Sequence, residues 1–147
     1  MKKILAMIAV ALGLAIATPA AARDKVYHTA DALPAAAQQT LKKNFPKAAV
    51  NRVKVDSNMF GAKDYEVVLS NGAEIEFKKD GEWKEVDCGH SAVPAGFVPN
   101  AIRNYINKNH QGGVIVKIEK DSNDYEVELA DGTDLKFDRA GKFLRYD

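Results

Sequence analysis

Carboxylates recur at alternate positions in two stretches of this chain: Glu66, Glu74 and Glu76 in one, Glu126, Glu128 and Asp134 in the other. Paired carboxylates run acid–base chemistry when burial pushes their proton affinities apart. Here they alternate with apolar residues, which places them on the wet face of a sheet. Solvation there is expected to deny them the shifted proton affinities that such chemistry needs, and the chain reads as non-enzymatic. His28, His90 and His110 follow no metal-ligand spacing, so no metal or cofactor is expected. Asp121-Ser122-Asn123-Asp124 resembles the start of a calcium loop. Glu126 and Gly132 stand where that loop needs glycine at its sixth position and glutamate at its twelfth, so it reads as a polar turn. Cys88 is the single cysteine; it can form neither an internal disulfide nor a zinc site, and it reads as a half-buried thiol. No GxSxG, HExxH, phosphate-loop or dinucleotide pattern occurs, which removes the commonest enzyme classes.

The elements that carry these residues come in two copies. Tyr65 to Asp87 aligns with Tyr125 to Asp147 at an offset of 60 without a gap, and eight positions are identical. Upstream, Leu41–Phe45 resembles Ile102–Ile106, and Val53–Asp56 resembles Val116–Glu119. Leu33-Pro34 and Val93-Pro94 open the two units. The predicted organisation is an N-terminal segment over 23–32, repeat one over 33–88, a join over 89–92 and repeat two over 93–147.

Ala37, Leu41 and Phe45 stand four apart, as on one helix face, and Pro46 stops that helix. Phe97, Val98, Ala101, Ile102, Tyr105 and Ile106 make the second helical stripe, with Gly112-Gly113 past its end. Strands follow with period two. Turn length is set by parity. A two-residue Asn71-Gly72 turn would pair Val67 with Glu76 and mix the faces. A three-residue turn with Gly72 left-handed pairs Val67 with Ile75 and Tyr65 with Phe77. The same turn at Gly81 and Gly141 pairs Phe77 with Trp83 and Phe137 with Phe143, and it sets Trp83 and Phe143 in equivalent, largely buried places. The fold class is α+β, a tandem (αββββ)×2 repeat of about eight antiparallel strands with two helices on one face.

The 147 residues carry 21 basic and 20 acidic side chains, a net charge of +1. That balance argues against nucleic-acid binding, which needs a basic stripe. Lys2-Lys3, the uncharged run Ile4–Ala17 and Ala20-Ala21-Ala22 together read as a secretory signal peptide over 1–22, cleaved between Ala22 and Arg23. The mature chain is then expected in the periplasm or outside the cell, off the membrane and monomeric.

With the signal peptide, the Leu-Pro helix start, YEVxLxxGxxxxF at Tyr65, the DGxWxxVDC join at Asp80–Cys88 and the second YEVxLxDGxxxxF at Tyr125, the chain resembles the beta-lactamase-inhibitor-like, PepSY-like family of exported bacterial proteins. The resemblance implies two tandem copies of a helix on a four-stranded sheet, in the shape of a beta-lactamase inhibitor protein, and no catalytic role. It suggests a binding module for another envelope or secreted protein or peptide, acting as an inhibitor or sensor. The candidate surface is the sheet face with Glu66, Glu76, Lys84, Glu126, Glu128, Asp134, Lys136 and Arg145. The competing surface is the loop tip with Met59 and Phe60. A periplasmic carrier of a small ligand or metal is the alternative.

Overall fold

A computed structural model describes residues 24–57, 61 and 63–147. The predicted signal peptide, Met59 and Phe60 lie outside them. In chain order the elements are β1 (Lys25–Tyr27), α1 (Ala35–Asn44), β2 (Val50–Ser57), β3 (Lys63–Leu69), β4 (Glu74–Phe77) and β5 (Trp83–Asp87). They continue with α2 (Asn100–Asn109), β6 (Ile115–Lys120), β7 (Asp124–Leu129), β8 (Asp134–Asp138) and β9 (Phe143–Tyr146). One-turn 3-10 helices, Ala30–Ala32 and Ala95–Phe97, precede the two α-helices.

All strands join one antiparallel sheet in sequence order, β1 to β9. The expected eight strands become nine because the N-terminal segment adds β1, which pairs Val26 with Lys54 and Tyr27 with Val53. Three residues give too short an alternation to read as a strand, and it forms because β2 offers an unpaired edge. The turn-parity register holds. Val67 opposes Ile75, Tyr65 opposes Phe77, and Phe77 and Phe137 oppose Trp83 and Phe143. Gly72, Gly81, Gly132 and Gly141 all have φ between +83° and +87°, the left-handed position the three-residue turn demands.

Period-two alternation sends Val53, Val67, Ile75, Phe77, Val86, Ile118, Val127, Leu135 and Phe137 to one face, all at most 1% exposed. Ala37 and Leu41 of α1 and Ile102 and Ile106 of α2 close this core. Burying such side chains stabilises by roughly 1.5–3 kcal/mol each. Trp83 and Phe143 are equivalent and largely buried, as expected, though less completely than the core residues. They lie at the rim, where Trp83 meets Phe97 edge-on at 5.4 Å and Phe143 stacks on Tyr105 at 4.6 Å.

The upstream alignment of the repeats also needs correcting. Pro34 and Pro99 cap helices that match at an offset of 65, so Leu41 corresponds to Ile106 rather than to Ile102. Lys54 and Glu119 share a place beside Glu66 and Glu126, again at 65. From Lys54 to Glu66 the hairpin therefore spans five more residues than from Glu119 to Glu126. A helix repeats its apolar face every three or four residues, and a slip of one turn leaves that face unchanged.

Candidate functional site

The sheet face opposite the helices is built by the second set of alternating residues. Following the register strand by strand, one row reads Lys54, Glu66, Glu76, Glu85, Glu119, Glu126, Lys136 and Arg145, from β2 to β9. Five glutamates thus stand directly opposite one another on five consecutive strands. Neighbouring strands lie only ~4.8 Å apart, and like charges directly opposite are destabilising. The next row reads Arg52, Val68, Glu74, Asp87, Lys117, Glu128 and Asp134.

All eight sheet-face residues expected from the sequence lie in these rows except Lys84. The bulge between Glu76 and Phe77 displaces Lys84 from the pairing, and its ammonium reaches Glu76 at 3.4 Å and Asp64 at 4.0 Å. Two members of the glutamate row, Glu85 and Glu119, escaped the sequence reading. They meet only through the β5–β6 pairing across the join, which no local pattern specifies.

Cations sit mostly at the flanks. Arg52 bonds Glu66 at 3.0 Å, and Lys136 holds Asp124 at 3.0 Å and Glu126 at 3.1 Å. Those two hydrogen bonds raise the Lys136 proton affinity. Lys117 enters the centre and holds Glu85 at 2.6 Å. The crowding shows in the acids. Burial, then the carboxylates of Glu66 and Asp87, raise Glu74 above its ordinary value against the pull of Arg52. Burial, then Glu85, Glu126 and Asp121, raise Glu119 against Lys117.

The other candidates are not gathered. His28 meets the Asn51 carbonyl at 3.0 Å, and His110 meets the Tyr146 hydroxyl at 3.1 Å. Among the described residues no group of three or more His, Cys, Asp or Glu side chains could hold a metal ion. Asp121–Asn123 is a turn closed by the Asp121 N–H on the Asp124 carbonyl, and Arg139 donates to the Asp121 carbonyl. A hollow of about 400 Å³ beside α1 is lined by Leu41, Phe45, Val50 and Leu69, with Thr29, Gln38 and Lys42. The Gln38 amide already donates to the Leu33 carbonyl, which leaves Thr29 and Lys42 as the other polar side chains in a largely apolar lining.

Each half of the chain thus carries one helix on four consecutive strands, with one charged face left open. A family model described as putative beta-lactamase-inhibitor-like, PepSY-like matches residues 22–62 and 63–145. The chain belongs to that family. Among solved structures, this PepSY-like protein is similar to a putative periplasmic protein of unknown function from Bacteroides vulgatus, at 37% identity and a TM-score of 0.81, over 85% of this chain and 99% of that one. It is similar to a putative calcium-regulated periplasmic protein from Bacteroides thetaiotaomicron, at 40% identity and a TM-score of 0.79, over 84% and 96% of the two chains. No curated protein matches. Among the described residues no helix is long and apolar enough to cross a membrane.

Proposed function

We propose that this PepSY-like protein is an exported, non-enzymatic binding module whose open sheet face takes a positively charged surface of another envelope protein or peptide. The observation that carries the reading is the row of five glutamates across β3 to β7. Arg52, Lys84, Lys117 and Lys136 already offset four of the five from within the fold, and a cationic partner would relieve the repulsion that remains, centred on Glu119. The description of its relatives as periplasmic and the signal-like N-terminus support an envelope location. Reversal of Glu76, Glu85 and Glu126 to Lys should leave the folded circular-dichroism spectrum in place. It should weaken capture of a partner recovered from envelope extract, most at low salt. A Phe60→Ala variant measured beside it tests the loop tip; loss of capture there, with none from the reversed face, sinks the reading.

A second reading is favoured by the relative described as calcium-regulated: a divalent cation that draws carboxylates of this face together on binding, since no three among the described residues are already placed to hold one. Calorimetric titration with calcium separates the two, since saturable heat abolished by Glu119→Gln supports the cation.

A further inference from the structure

The duplication allows each strand of repeat two to be compared with its counterpart, and one differs in what covers it. Phe143 to Asp147 match Trp83 to Asp87 at the offset of 60, so β9 is the second copy of β5. The outer edge of β5 is covered by β6, with Glu85 opposite Glu119, Val86 opposite Ile118 and Asp87 opposite Lys117. The outer edge of β9 ends the sheet. Val86 is 0% exposed, whereas its counterpart Tyr146 is 53% exposed and neighbouring Leu144 is 49% exposed. The helix side of β9 is already filled by Tyr105 against Phe143. What β9 lacks is the strand.

The backbone points the same way. The Asp147 N–H bonds inward to the Asp134 carbonyl. Strand alternation therefore turns the Tyr146 N–H and C=O outward, as those of Val86 are turned toward β6. Charge complements this. Arg145 and Asp147 sit two apart and bond each other at 2.8 Å, with Arg145 56% exposed. An antiparallel strand in the β5–β6 register would place one residue opposite Arg145, the next opposite Tyr146 and the next opposite Asp147.

We propose that the outer edge of β9 is a strand-addition site for an extended segment of another protein carrying cation, aliphatic and carboxylate side chains at three consecutive positions. The carboxylate meets Arg145, the aliphatic residue covers Tyr146 and the cation meets Asp147. Main-chain hydrogen bonds supply affinity and the alternating side chains supply selectivity. The molecule contains such a segment in Lys117-Ile118-Glu119, which suits β9 better than it suits β5, where Glu119 faces Glu85. The edge shares Arg145 with the end of the charged row, but it would bind through the main chain of β9, and the proposal does not depend on the reading of the sheet face.

The test uses the whole processed protein and a fluorescent peptide of sequence Val-Ile-Val-Lys-Ile-Glu-Lys, followed by anisotropy. Saturable binding is expected. N-methylation of the Ile between Lys and Glu removes the inward N–H and should weaken binding at least tenfold. N-methylation of that Lys, whose N–H points away from β9, should leave it. The double variant Arg145→Glu/Asp147→Lys should lose the peptide and bind one with Glu-Ile-Lys at its centre. Absence of saturable binding, indifference to methylation of the central Ile, or failure of the charge swap to exchange the two peptides overturns the proposal.

Discussion

Cys88 follows β5 at the end of repeat one, half-buried, with its N–H on the Val116 carbonyl. Burial, then the Asp87 carboxylate, pushes its thiol up to about 11 from 9.0. The thiolate is the reactive form, so alkylation at neutral pH should run about 100-fold slower than for a free cysteine. The rate should climb about tenfold per pH unit until the thiol titrates. Iodoacetamide kinetics between pH 7 and 10 check this, and a rate equal to that of free cysteine at pH 7 defeats it. The sequence showed that this thiol has no internal partner, but its elevation depends on the β6 strand laid against it. Trp83 teaches the same lesson: parity gave its pairing with Phe77, but what covers it at the rim is Phe97, fourteen residues on, and the Lys120 ammonium 4.5 Å over its ring.

At the scale of elements, the hairpins were legible because a slip of one residue would swap every side chain between core and water. The helices were legible in their apolar face but not in their phase between repeats, and β1 was not legible at all. The tight turns also position the helices. At Gly141, φ is +83° and an added Cβ would stand 2.7 Å from the Ala101 Cβ of α2; at Gly132, φ is +87° with nothing within 4 Å. Alanine at either position adopts the left-handed backbone at a cost of roughly 1–2 kcal/mol. At Gly141 it must also push α2 away, for roughly 1–3 kcal/mol more. Urea denaturation of the two alanine variants should therefore rank Gly141→Ala well below Gly132→Ala. Equal midpoints would mean that α2 yields without cost.

Over the whole molecule, the charged face has an electrostatic character that net charge conceals. A chain with 21 basic and 20 acidic residues still lines the middle of its sheet with glutamates and leaves most of that face's cations at the flanks. Alternation revealed that the face was charged, but the alignment of Glu85 and Glu119 with the others required the long-range register. Glu119 stands at the centre, between Glu85 and Glu126, with its proton affinity raised by burial and by those neighbours. A folded-state value above the unfolded one means that the folded protein holds the proton more readily. The ionised group therefore costs stability above that raised value, and the cost fades as pH falls through it toward 4.5. Exposed Asp24 and Asp131 run the other way, their values lowered by hydrogen bonds, so overall acid stability is a contest and a single-site comparison is needed. Glu119→Gln keeps the shape and removes the charge. At pH 7 it should stabilise the fold by on the order of 0.5 kcal/mol, as expected for relief of a like-charged cross-strand pair. The gain should vanish near pH 4, where the wild-type side chain is itself protonated. Under the proposed docking of a cationic surface, the same variant should also bind that partner less well, because it removes one of the five negative charges that would meet it. Thermal melts at pH 4 and 7, beside partner capture, read both effects. A variant destabilised at pH 7 would show that the glutamate row supports the fold instead.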